Sequence, residues 1–514
     1  MLSLLTRANI RTMCPALARA EAAVIDGGRF VFVGGAAGAA RFLAGRAHQV
    51  IDAEGCDVLP GLNDSHLHFA SIAMLARQVP LAGTRSPEAI IAALRAGLAR
   101  GADGWLVGRG WNQERFDAPR LLTREDLDQV SPDVPVFAVR ACGHIGTLNS
   151  AAMRAAGIDP QGDGILRENE MGLAWRHIPA PEIGTVIAAM ETAQHRLFAQ
   201  GITSVQSDDL GTIPDDSAGP FLRAMRGAGD SGRLRVRYAL QANIGELGAL
   251  RKFFAEGLHQ LRGARLRVSC LKLITDGSLG ARTAYLRAPY ADAPDTRGVA
   301  VLEGETLRAL VAEATAHNLP VAAHAIGDGA MQEVLDAVER EGHGLRNAVV
   351  HAQITDAEQI ARCGRLGLSI LAQPIFLDAD APIVRARVGD ALADTSYCWR
   401  SMLGAGAHVA FGTDCPVEPF DTMPGLYSAI TRHGPGGGAA YLPEEAFTLE
   451  EAIFAYTAAG AYATGEEGEK GRIQAGMAAD FIVLDRALDA REPEALLETK
   501  VKGTYIDGER VWGD

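Results

Sequence analysis

From residue 202 onward the chain alternates short β-rich runs with longer amphipathic stretches, and this alternation limits its fold more than any other feature. The candidate strands are "ITSVQSDD" (202–209), "LRVRYALQAN" (234–243), "LRVSCLKLITDG" (266–277), "LPVAAHAIGD" (319–328), "NAVVHAQI" (347–354), "LSILAQPIFL" (368–377) and "HVAFGTDCPV" (408–417). Helical patterns such as "ETLRALVAEATAHN" (305–318) and "GAMQEVLDAVEREG" (329–342) lie between several of them, in the order expected of a parallel sheet with helical crossovers. "DVLPGLNDSHLHFA" (57–70), taken as the first strand, brings the count to eight, which predicts an α/β chain built on a (β/α)₈ TIM barrel.

The stretch from about 70 to 201 is too long for one crossover and has elements of its own: a helical "SPEAIIAALRAGLAR" and strand-like "DGWLVGRGW" and "DVPVFAVRACG". It is read as a large insertion after the first strand, lying over the barrel mouth. Residues 1–58 and 469–514 share a different texture of short strands and turns, as in "EAAVIDGGRFVFVGG", "AADFIVLD" and "VKGTYIDGERVW". The two ends are expected to form one small β-sandwich domain, leaving 59–468 as the barrel with its insertion. Gly-rich "RHGPGGGAAYLP" (432–443) is either a lid or a long connection.

Composition narrows the partners. The net charge is −14 and basic residues are scattered, so no positive footprint for nucleic acid or anionic lipid is present. Seven cysteines without a CxxC pair argue against a disulfide framework and a thiolate zinc knuckle. The start lacks a signal-peptide pattern and no apolar run is long enough to span a bilayer, so the expectation is a cytoplasmic protein with a small-molecule partner. Oligomeric state is left open, a homo-oligomer being compatible with the sequence.

In a strand, residues two apart point to the same side, so His66 and His68 of "DSHLH" project together and can share one metal ion. Further candidate ligands stand near the ends of other strands: Lys272 in "CLKLITDG", His324 in "AAHAIGD", His351 in "VVHAQ" and Asp414 in "FGTDCP". A barrel converges such positions on one axis. Singly, each has a plainer reading as a core histidine, an exposed lysine or a helix cap; jointly, coincidence would have to place all of them at the same end of different strands.

This set, an HxH after an "LPG" turn, a strand-end Lys, two more strand-end His and a "TD" on the eighth strand, resembles the amidohydrolase superfamily of metal-dependent hydrolases. "GWNQERF", "RACGHIGTLNS", "LKLITDGSLGARTAYL", "HAIGDGAM", "GTDCPVEPFDTMPGLYSAITR" and "EKGRIQAGMAADFIVLD" are similar to its amidohydrolase-3 branch, which includes N-substituted formamide deformylase-like proteins. The resemblance implies two divalent ions, with Zn²⁺ the default for a nitrogen-rich set. By it, His66 and His68 bind an α metal, His324 and His351 a β metal, Asp414 joins the α site and Lys272 bridges both as a carbamate. Burial in the apolar "VSCLKLI" would favour the neutral amine that adds CO₂.

The implied activity is cleavage of an amide, formamide or N-acyl C–N bond by a metal-bound hydroxide, with Asp414 as proton shuttle. Cyclic amide opening, deamination, ester cleavage and a non-catalytic binding barrel are the alternatives. His144 is a candidate catalytic and substrate contact, with a structural role in its loop as the other reading. Trp111, Arg282 and Gln353 are candidate pocket residues, although Trp111 could be core and Arg282 a surface ion-pair partner. Asp276 and Asp328 follow metal-bearing strands and could orient ligands or cap loops.

Overall fold

The computed structural model describes residues 2–101, 104–140, 145–167, 170–214 and 216–513. Two compact units emerge: Met1–Ser71 with Met190–Asp514, and Ile72–Ala189.

The larger unit holds an eight-stranded parallel sheet: β1 (Leu62–Leu67), β2 (Ile202–Ser207), β3 (Arg237–Asn243), β4 (Leu266–Ile274), β5 (Val321–Ala325), β6 (Ala348–His351), β7 (Ser369–Ala372) and β8 (His408–Phe411). Each strand pairs with the next in sequence, and nearly every strand residue is buried, as in a sheet covered on both faces. Helices cross between successive strands, among them Gly304–Ala316 between β4 and β5 and Asp328–Glu341 between β5 and β6. The seam between β8 and β1 is closed by bonds just past the strand ends. Asp414 N donates to His66 O (2.8 Å) and His68 N to Cys415 O (2.8 Å). The buried Asp64 carboxylate accepts from Thr413 N (3.0 Å) and Thr413 Oγ1 (2.6 Å). This is the eight-stranded barrel that the alternation of elements predicts.

The single first strand expected over 57–70 is instead two. Asp57–Pro60 pairs with Phe481–Leu484 and Asn9–Arg11, whereas β1 pairs with β2. The joint is Gly61, where a Cβ would lie 2.3 Å from Thr203 Oγ1, so only glycine lets the chain change sheets so close to β2.

Both chain ends contribute to a six-stranded sheet, ordered Glu509–Trp512, Val501–Ile506, Phe481–Leu484, Asp57–Pro60, Asn9–Arg11, Arg19–Ala20. A four-stranded sheet, Arg29–Gly34, Ala22–Asp26, Ser3–Thr6, Gln49–Asp52, shares with it a core containing Leu5, Phe30, Val58, Phe481 and Tyr505. The smaller unit has its own five-stranded mixed sheet, ordered Ile165–Arg167, Ile145–Leu148, Val136–Arg140, Leu106–Trp111, Val79–Pro80. Its helix Pro87–Ala99 starts where the sequence dictates, with Ser86 accepting from Ala89 N and proline in the first turn. Among the described residues no helix is long and apolar enough to cross a membrane.

Candidate functional site

The C-terminal ends of the barrel strands gather the polar side chains. His66 on β1, His351 on β6 and Asp414 after β8 are buried, and one ligand atom from each lies within 4.8 Å of the others. Asp414 Oδ1 is 3.1 Å from His68 Nε2 and 3.4 Å from His66 Nε2. The rings of His66 and His351 are 5.8 Å apart, and those of His324 and His351 4.5 Å. His66, His68, His324, His351 and Asp414 thus form one continuous cluster.

Hydrogen bonds aim these rings. His66 Nδ1 meets Gln241 Oε1 at 2.6 Å, His351 Nδ1 meets Gln373 Oε1 at 2.7 Å and His68 Nδ1 meets the Asp208 carbonyl at 2.9 Å. His324 is turned the other way: its Nε2 faces the Gly277 carbonyl (3.0 Å) and Asp276 Oδ1 (3.2 Å), leaving Nδ1 as the free nitrogen. Backbone strain accompanies this geometry. His351, Ala352 and Asp414 have φ of 76°, 48° and 57°, a region non-glycine residues seldom occupy. The first two are held by the buried Trp399 indole, which donates to the His351 and Ala352 carbonyls (2.9 and 3.2 Å).

Electrostatics favour cation binding. Burial, reinforced by the nearby Lys272 charge, pushes His66 well below its usual range, and burial with the adjacent His324 does the same to His351, so both rings are neutral. Burial alone would raise the Asp414 carboxyl; the bond from His68 overrides it and keeps Asp414 ionised. His68 shows the reciprocal effect: burial opposes its charge, but Asp414 and Asp208 raise it to about 9. Lys272 on β4 is fully enclosed, its Nζ has no hydrogen-bond partner, and burial lowers its pKa despite Asp208 and Asp414 nearby. A buried, partnerless amine, the neutral His66 and His351 rings and an ionised carboxylate are a donor set that suits a divalent cation, and these residues fit one; His68 would join it by giving up the proton it shares with Asp414.

The other residues singled out by sequence lie elsewhere or act differently. Trp111 is fully buried in the smaller unit, stacked near Phe116 (6.2 Å), with its indole donating to Ala138 O (3.1 Å): it is core. Arg282 forms a two-pronged ion pair with Asp292 (3.0 and 2.9 Å), the surface-pair alternative. Gln353 is buried two residues after His351; its Oε1 accepts from Tyr397 (3.4 Å) and its Nε2 has no partner. Asp276 accepts from the Tyr285, Ile326 and Gly327 amides while touching His324, so it both caps a loop and orients a ring. Asp328 is paired with Arg287 (2.6 Å). His144 lies outside the described residues.

Four supporting residues escape a reading of the sequence: Gln241, Gln373, Asp208 and Asp64. Their signal is a polar side chain within an otherwise apolar strand run, as in "YALQAN" and "ILAQP", which is too common to single out without partners. Asp64 is raised to about 7 by burial, against the bonds from Thr413 and His66 N that hold it at the seam.

Comparison with known proteins places this site in context. The model of the amidohydrolase family matches residues 49–512. A putative amidohydrolase of Bacillus subtilis (strain 168), YtcJ, is 33% identical over 90% of this chain and 90% of its own. N-substituted formamide deformylase of Arthrobacter pascens is 26% identical over 98% and 97%. Among solved structures, an uncharacterized metal-dependent hydrolase from Pyrococcus furiosus superposes with a TM-score of 0.82 at 30% identity, over 95% of this chain and all of that one.

Proposed function

The chain belongs to the amidohydrolase family, and from that premise we propose that it hydrolyses a carbon–nitrogen bond of a small amide, formamide or N-acyl compound. The carrying observation is the convergence of His66, His351 and Asp414 within 4.8 Å. The name of the Arthrobacter relative supports a formamide among the candidate substrates.

His66, His68 and Asp414 would hold one divalent ion, probed first as zinc, and His324 with His351 a second. Lys272, carboxylated on Nζ, would bridge them, which turns its partnerless amine into an anion with two oxygens. A bound divalent ion acidifies water and polarises a carbonyl, the two requirements of amide hydrolysis at neutral pH. Asp414, ionised and in contact with His68, takes the proton from the attacking water and delivers it to the departing nitrogen. The carbonyl carbon thereby gains the oxygen while the C–N electron pair leaves with the amine. Neutral His66 and His351 keep their Nε2 lone pairs for coordination, and the Asp64 seam holds His66 and Asp414 in register.

The test is a panel of N-formyl, N-acyl and cyclic amides, with and without chelator, on protein of measured metal content. At least one C–N bond should be cleaved in a chelator-sensitive way. Asp414→Asn should lower kcat by about 10²–10⁴-fold, the range of a general acid–base group. Less than about one equivalent of divalent metal after metal-replete growth would instead favour a non-catalytic barrel, because a set of this kind binds tightly.

A further inference from the structure

We infer that Gln241 and Gln373 are positioning residues that fix His66 and His351 in the Nδ1–H tautomer and thereby turn their Nε2 atoms into ligands; the inference rests on the metal-binding reading above. A glutamine amide has one accepting and one donating end, and which end faces a ring follows from what the other end touches. Gln241 Nε2 donates to the Ser65 carbonyl at 3.1 Å, and Gln373 Nε2 donates to the Leu371 carbonyl at 2.8 Å. Carbonyls only accept, so both amides are locked with the oxygen toward the imidazole. Oε1 in turn only accepts, at 2.6 Å from His66 Nδ1 and 2.7 Å from His351 Nδ1, so each Nδ1 carries the hydrogen and each Nε2 a lone pair. Flipping either amide would set its oxygen against a carbonyl and its NH₂ against the ring, and would select the tautomer whose Nε2 is blocked.

Both glutamines and both histidines are buried, so no water stands ready to replace the amide. The arrangement is repeated across the barrel: Gln241 reaches β1 from β3, and Gln373 reaches β6 from the end of β7. His68 provides a built-in contrast, since its Nδ1 is held by the Asp208 backbone carbonyl, which no side-chain change removes. Partners of this kind orient metal-binding imidazoles in general, and losing one costs about 10–100-fold in metal affinity.

The experiment compares wild type with Gln241→Leu, Gln373→Leu and the two Gln→Glu variants. ¹⁵N spectra of histidine-labelled, metal-free protein report the tautomers directly, and competition with a chromophoric chelator reports Zn²⁺ affinity. Wild type should show Nδ1–H at positions 66 and 351. Each leucine variant should mix tautomers at its own histidine and bind zinc about 10–100-fold more weakly. A buried, protonated glutamate can donate to the same carbonyl and accept from the same ring, so Gln→Glu should recover most of the affinity. Nε2–H at either position in wild type, or leucine variants that bind zinc like wild type, would overturn the inference. Should a leucine variant fail to fold, the wild-type spectrum and the glutamate variants still decide. Wild type that binds no zinc would sink the proposed function, and the spectra would still settle the tautomers.

Discussion

The two ends of the same barrel treat buried charge in opposite ways. At the N-terminal end, Arg237 forks onto Asp480 and reaches Asp507 (2.6 Å), Arg265 also meets Asp507 (2.5 Å), and Lys470 bonds Glu466 and Ser204 (both 3.0 Å). Each cation there has a carboxylate, and the network ties the barrel to the strands of the chain ends. At the C-terminal end Lys272 has no hydrogen-bond partner, although Asp208 and Asp414 lie near it, and Asp414 is shared among His66, His68 and His351. Paired charge marks the end that ties the barrel to the chain ends; the partnerless Lys272 amine marks the end where the candidate ligands gather.

Substitutions can break this contrast. The largest effect is expected from Lys272→Met, which removes the partnerless amine. Activity should fall by about 10³-fold through loss of cation binding, measured by turnover and metal content. Metal-free Lys272→Met should melt about 1–3 °C above metal-free wild type, because a buried polar group has been exchanged for an apolar one. A lower melting temperature would mean that Lys272 supports the fold after all. The mirror experiment is Arg237→Met, which strands Asp480 without its partner; about 3–5 kcal/mol of stability should be lost in denaturant titrations, with kcat of the folded fraction kept.

A smaller effect is expected from pH. Burial opposes ionisation of Glu466, but the Lys470 and Arg267 charges win and lower it to about 2 from 4.5. A depressed carboxyl contributes stability that is complete above about 4.5 and is lost as pH falls toward about 2. Glu466→Gln should therefore cost about 1–3 kcal/mol at neutral pH and flatten the difference from wild type across that acid window, as thermal melts between those limits would show. The smallest effect belongs to Arg282→Ala. Its solvent-screened pair with Asp292 should leave the melting temperature almost unchanged when lost, and a ten-fold rise in KM would return Arg282 to the substrate pocket.

The candidate metal ligands were more legible in the sequence than their supports, for a physical reason. A strand repeats every two residues, so "HLH" declares a shared face by spacing alone, and barrel topology then requires strand-end residues to meet. Gln241 and Gln373 carry no such periodic mark, because their roles depend on partners 175 and 22 residues away. The break at Gly61 was visible as a turn signal, but its meaning depends on Thr203, across a sheet contact the sequence does not display. Trp111 and Arg282 had two readings each, and burial together with Asp292 favours the structural one.

The pairing of Asp57–Pro60 with Phe481–Leu484 has a consequence for how the chain is made. Synthesis runs from N- to C-terminus, so the strand that leads into His66 finds its Asn9–Arg11 neighbour already made but must wait for more than four hundred further residues before the other exists. Until then its open edge is exposed, and closing so long a loop is slow. That edge is therefore covered only after every barrel strand has been made.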